Sequence, residues 1–354
     1  MAFATQTEIQ SILTVPPYRA TIPKYARQVI VNGRYGWKAM QGRINIVFYF
    51  GNLGNDDSGS KNAAWMKDSL GMAFLAAPLL GGRLRRDEDG SGGLKIVSND
   101  CGARLVEGTV DTTLRDFMSI KEKDKLLESQ LVFWNELSEE SFLLSALFCV
   151  QVTKFKCGGH TIGISVSVLL ADFIVAGGFI QRWARIHKDL VSGEEFQPPI
   201  FYLPYLKASA ISPDTCFRSC SSEPYGSTAV YRVSCERTKN VPLPALCLLT
   251  VEETEKRLQR ILPCSLPVIT IESPDVATVG ICEKGKQIDI SLTSKVAASS
   301  LNELGMETVA FVAGEEPVSV SYWIESPTNG LAMAFPSPTE DNASEFNILV
   351  TVPH

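Results

Sequence analysis

The sequence predicts an α/β protein of two lobes, each a mixed sheet flanked by helices. Three observations lead there. Both halves carry alternating or β-branched runs of strand length beside amphipathic runs of helix length. A stretch rich in proline, glycine and serine separates them at 192–222, with Gln197-Pro198-Pro199, Leu203-Pro204 and Ser212-Pro213. Apolar residues make up 45% of the 354 and charged residues 20%, enough to bury a substantial core. The expected division is an N-terminal lobe at 1–191, a crossover at 192–227 and a C-terminal lobe at 228–354.

The elements follow in chain order. RINIVFYF at 43–50 is β-branched and aromatic and reads as a strand. GNLGNDDSGS at 51–60 is loop by composition. Trp65, Met66, Leu70, Ala73, Phe74 and Ala77 fall on one face of a helix expected over 61–79, which Gly81-Gly82 ends. Short strands are expected at 94–97 and 104–107. The apolar run 142–155 alternates at its end, which favours strand there, and TIGISVSV at 161–168 alternates strictly. A helix over 173–190 would turn Trp183 and Ile186 inward and leave His187, beside Arg185 and Lys188, on a solvated face. The second half reads as strands at 228–234, 267–271, 278–282, 287–293, 318–324, 331–335 and 346–352, with one helix at 251–262.

Composition excludes several functions. The formal net charge is −6 with no long basic run, so a nucleic-acid partner is not expected. Nine cysteines are scattered without a CxxC pair, which points to buried free thiols and no metal site. Residues 1–14 lack the basic start and apolar run of a secretory leader, and no apolar stretch is long enough to span a bilayer. The expected location is cytoplasmic, at most peripheral to a membrane.

Only His160, His187 and His354 could serve as an imidazole base. His160 reads as a structural residue ahead of a strand. Asp172, after an apolar strand and opening a helix, reads alone as a cap or an ion-pair member. No GxSxG elbow, phosphate loop, HExxH or strand-linked GxGxxG occurs.

One segment carries more. Phe155-Lys156-Cys157-Gly158-Gly159, then Ile162-Gly163, then Ser167-Val168-Leu169-Leu170-Ala171-Asp172 resembles the signature of the plant BAHD acyltransferases, roughly F-x-C-G-G-x-x-I-G-x-x-x-S-H-x-x-x-D. Leu79-Leu80-Gly81-Gly82-Arg83-Leu84 and Cys101-Gly102 with Val106-Glu107 resemble further landmarks of that family. The resemblance implies the two-lobed, chloramphenicol acetyltransferase-like fold. In the family the histidine of H-x-x-x-D deprotonates the acceptor, which attacks an acyl-CoA thioester. The aspartate is architectural and pairs with an arginine. Here the histidine position holds Val168, which cannot accept a proton, while Asp172 is retained. General-base assistance of about 10²–10⁴-fold is thereby removed. No catalytic residue of the usual mechanism remains, and Ser165, Ser167, Val168 and Asp172 are the candidates for lining the family's channel. His160 would be ~26 Å from position 168 along an extended strand, a poor substitute base.

The family's D-F-G-W-G is also missing, and the second lobe lacks a stretch between Cys247 and Ile271. Gly314-Glu315-Glu316-Pro317-Val318-Ser319-Val320-Ser321-Tyr322, Asn329-Gly330-Leu331-Ala332-Met333-Ala334-Phe335-Pro336 and Ser98-Asn99-Asp100-Cys101-Gly102 resemble the ECERIFERUM2/GLOSSY2-like subgroup. That resemblance implies a non-catalytic accessory of a 3-ketoacyl-CoA synthase in very-long-chain fatty acid elongation for wax. It implies no cofactor, with acyl-CoA as the ligand class. The alternative is an enzyme of altered chemistry, an acyltransferase with another base or a lyase or cyclase.

Overall fold

The computed structural model describes residues 6–33, 36–51, 58–87, 93–121, 125–134, 145–192, 227–235, 242–259, 261–284, 295–299, 306–311, 315–337 and 344–352. The expected crossover at 192–227 falls almost wholly outside them, as do the strand expected at 287–293 and most of the loop at 51–60.

Two strands that the sequence reading passed over come first, β1 (Glu8–Val15) and β2 (Ala26–Val31), then a short helix, α1 (Gly36–Met40). Both strands expose one face, so they lack the continuous apolar run that marks a buried strand. β3 (Arg43–Phe50) is buried from Ile44 onward. Helix α2 (Ser58–Ala73) stops six residues before the expected end, and a 3-10 turn at Pro78–Gly81 leads into β4 (Arg83–Arg86). β5 (Leu94–Val97), β6 (Ala103–Val110), α3 (Leu114–Lys121) and a 3-10 turn at Lys125–Leu131 follow.

β7 (Phe148–Phe155) and β8 (His160–Ser167) match the two expected strands. The helix expected over 173–190 is divided into α4 (Ala171–Val175) and α5 (Phe179–Ser192), because Gly178 takes φ 58° between them. The second half supplies β9 (Ser227–Cys235), α6 (Leu243–Leu258), β10 (Ser265–Ser273), β11 (Val276–Glu283), β12 (Lys295–Ser299), β13 (Ser319–Glu325), β14 (Leu331–Pro336) and β15 (Ser344–Val352). Helix α6 begins eight residues before the expected helix. Pro244 is compatible with a first helical turn, where its missing N–H is not needed.

Two mixed sheets result, ordered β1-β6-β7-β8-β3-β13 and β12-β9-β15-β14-β10-β11-β2-β5-β4. Strands are exchanged between them. β2, β4 and β5 join the sheet built by the second half, with β2 parallel to β11, and β13 returns to pair antiparallel with β3.

The main core lies between the sheets and the packed pair α2 and α5. Ile44, Ile46, Phe48 and Phe50 of β3 meet Leu70, Phe74, Trp183 and Phe311 there. A second core places Leu246, Val251 and Cys247 of α6 against Val268, Ala334 and Ile348. A third covers the other face of β3 and β8 with Leu114, Phe117, Leu127 and Leu131.

Candidate functional site

The site is built where β8 ends. Its last residue, Ser167, turns out of the strand, and its Oγ accepts the Leu169 N–H at 3.3 Å. The Val168 N–H donates to the Gly42 carbonyl at 3.1 Å, fixing the turn against the start of β3. The Val168 side chain is fully buried in the main core. A Cβ on Gly42 would sit 3.1 Å from Val168 Cγ1, so the valine is packed tightly against that backbone.

Asp172 lies in the first turn of α4 and forms a bidentate pair with Arg27 of β2, at 2.8 and 2.7 Å. The same guanidinium donates to the Leu169 carbonyl at 2.9 Å and to the Pro274 carbonyl at 2.8 Å, and it lies over the Phe173 ring. Arg27 thus joins β2, the Val168 turn and the β10–β11 connection. This is the arginine partner that the resemblance implied without identifying. The sequence hid it in a strand with no apolar signature.

The four candidate lining residues diverge. Ser165 Oγ donates to Asn45 Oδ1 at 2.6 Å, and its strand neighbours Ile164 and Val166 belong to the core that holds Val168. Alternation along β8 therefore turns Ser165 to the opposite sheet face. Ser167 is occupied as a cap, Val168 points into the core and Asp172 into its ion pair.

His160 begins β8, at the end remote from Val168, with its ring stacked on Phe50. Burial, with Lys154 nearby, pushes its pKa down to about 4. His187, expected on a solvated face, is instead buried. Its Nδ1 lies 3.0 Å from Ser69 Oγ, which also accepts the Trp183 indole N–H. Helix periodicity places it one turn from Trp183 and on the same face, a signal outweighed in the reading by its charged neighbours. Cys149 is no nucleophile either, since burial pushes its thiol up to about 12. Of the expected buried thiols, Cys149, Cys247 and Cys282 are buried, whereas Cys101, Cys157 and Cys264 are exposed. Among the described residues no group of three or more His, Cys, Asp or Glu is placed to hold a metal, and no helix is long and apolar enough to cross a membrane.

Burial pushes the His187 pKa down to about 4, with the Trp65 backbone opposing in part. The folded value is below the unfolded one, so the neutral ring stabilises the fold. That contribution is complete above pH 6.5 and is lost as the pH falls towards 4, a swing of about 3 kcal/mol. Urea unfolding between pH 7 and 4.5 should show it. His187→Gln should flatten the slope, and an unchanged slope would assign the effect elsewhere.

A family model described as the transferase family matches residues 41–225, more than half of the chain and all of the segment from β3 to Asp172. The chain belongs to the BAHD family of transferases. Its two mixed sheets flanked by helices are the two-lobed α/β fold. Among curated relatives, an ECERIFERUM 26-like protein of Arabidopsis thaliana is 30% identical over 142 residues, 38% of this chain and 33% of the relative. A hydroxycinnamoyl-CoA:piscidic acid hydroxycinnamoyltransferase of Actaea racemosa is 34% identical over 135 residues, 38% of this chain and 29% of that enzyme. The chain spans about a third of the length of the curated relatives it matches. The crystal structure of vinorine synthase aligns with 98% of this chain and 94% of its own, at 13% identity and a TM-score of 0.44. In this BAHD chain, then, the ion-paired aspartate is in place, and a buried valine stands where the signature carries histidine.

Proposed function

We propose that this chain is a non-catalytic BAHD-fold accessory protein that works with a 3-ketoacyl-CoA synthase in very-long-chain fatty acid elongation for cuticular wax. The observation that carries the reading is Val168, fully buried and without a proton acceptor, beside an intact Arg27–Asp172 pair. An architecture kept without its base fits a scaffold better than a transferase. Relatives named ECERIFERUM 26 and ECERIFERUM 2 agree with this reading.

Co-expression in yeast with a 3-ketoacyl-CoA synthase should lengthen the very-long-chain acyl products. The purified chain should transfer no acyl group from CoA thioesters to alcohols or amines above buffer. Val168→His should leave transfer at background, because the valine site is enclosed in core. Unchanged acyl profiles would count against the accessory role, and turnover by the unmodified chain would overturn it.

A second reading is favoured by the relatives named as hydroxycinnamoyltransferases. It is an enzyme that retains an acyl-CoA ligand with altered chemistry, either an acyltransferase with another base or a lyase or cyclase. The same transfer assay discriminates the first of these. Attachment to the endoplasmic reticulum through the synthase partner belongs with the first reading.

A further inference from the structure

The connection between β1 and β2 runs through Pro16-Pro17-Tyr18-Arg19-Ala20-Thr21-Ile22-Pro23-Lys24-Tyr25. Within it Tyr18 is 53% exposed, Tyr25 50% and Ile22 87%. Thr21 is buried between them.

This exposure is built, because the loop is tied down on both sides of its tip. The Tyr18 N–H donates to the Gly71 carbonyl at 2.9 Å. Thr21 donates to Asp100 through its N–H at 3.3 Å and its hydroxyl at 2.6 Å, and Lys24 pairs with the same carboxylate. The Tyr25 N–H donates to Ser98 Oγ at 2.7 Å. Leu75, one turn beyond Gly71, adds a further exposed apolar side chain at the end of α2. Singly exposed isoleucines are common; this one is distinguished by the tethers that hold it out between two half-exposed tyrosines.

The occupant follows from shape and charge. A lone isoleucine at the tip of a loop is too small for a stable protein interface, which buries upwards of ~1,000 Å². A bilayer surface needs no matching pocket. Tyrosines settle at the headgroup level, an aliphatic side chain enters the acyl boundary, and basic residues meet anionic lipid. In a chain of net charge −6, residues 15–26 hold Arg19 and Lys24 and no acid of their own; Lys24 is paired with Asp100, so Arg19 is the base left to meet anionic lipid. We infer that the 16–25 loop is a peripheral anchor for an anionic bilayer surface, with Ile22 as the inserting side chain. This does not rest on the accessory role, since an active acyltransferase could carry the same loop.

Co-sedimentation of the full chain with phosphatidylcholine vesicles, with and without phosphatidylserine, tests it. Binding is expected to the phosphatidylserine vesicles and to weaken with salt. Ile22→Asp should lower the partition coefficient about tenfold or more, without changing the melting temperature. Ile261→Asp is the control, since that isoleucine is 95% exposed but lies elsewhere in the chain. Its partitioning should equal that of the unmodified chain. Equal partitioning of Ile22→Asp and the unmodified chain would overturn the inference, as would no binding to either vesicle. So would loss of capture by a 3-ketoacyl-CoA synthase in Ile22→Asp without any vesicle binding, which would assign the loop to a protein.

Discussion

Arg27→Ala is expected to destabilise the chain by about 3–5 kcal/mol. The guanidinium is fully buried and donates to both Asp172 oxygens and to the carbonyls of Leu169 and Pro274. Its removal strands a carboxylate and two carbonyls at once, and unsatisfied groups cost more than the bonds they formed. The loss should appear as a lower denaturant midpoint with little change in slope. Arg27→Lys should recover only part of it, because an ammonium cannot reproduce the planar fork that grips Asp172 while reaching two carbonyls. Asp172→Asn should cost less than Arg27→Ala. The Asp172 side chain keeps 20% exposure, and asparagine can still accept one bond. A loss under about 1 kcal/mol for Arg27→Ala would mean that the pair does not hold the Val168 turn in place.

The second large effect is expected at Gly163, in the middle of β8. A Cβ there would lie 1.8 Å from the Leu131 carbonyl oxygen and 2.9 Å from its carbon. Both are backbone atoms, so no rotamer change relieves the overlap. Gly163→Ala should lift the Lys125–Leu131 turn from the sheet. That turn buries Leu127 and Leu131 against Val47, Phe117 and Trp323. The expected cost is about 3–5 kcal/mol, the range of large core losses. Hydrogen exchange at 125–132 should rise far more than in β7 or β8. If alanine is tolerated with unchanged exchange, the close approach is not required. The glycine that helps to make the signature recognisable is thus explained by packing, without any chemistry at Val168.

Much of the sheet framework was legible, because strand signals are local. β3 at 43–50 and β5 at 94–97 coincide with their expected bounds, and β7, β8, β14 and β15 fall within a few residues of theirs. The alternation that reveals such strands is absent from β2, so the strand carrying Arg27 passed as featureless. The pairing of β2 with β11 was equally hidden, since hydrogen bonding between distant segments leaves no mark on either one. At the site, Val168 and Asp172 were found through a spaced motif, which records positions along the chain. Which way each side chain turns was not recorded. Ser165 shares the motif with Val168 and faces the other side of the sheet, bonded to Asn45. His187 shows the opposite failure. Charged neighbours suggested solvent, yet one turn of helix away Trp183 fixes the inward face, and Ser69 supplies the polar contact that makes burial tolerable.

The strand exchange between the sheets has a consequence for synthesis on the ribosome. When the first 191 residues have emerged, β3 lacks β13 along one edge, and β2 lacks β11. The segments that complete them arrive well over a hundred residues later in the case of β13. At ~5–20 residues per second, that is roughly 6–25 s during which an apolar edge carrying Phe48 and Phe50 waits unpaired. Neither sheet can close from its own half of the chain. The first sheet can assemble five of its six strands early, but both sheets are completed only after the second half has emerged.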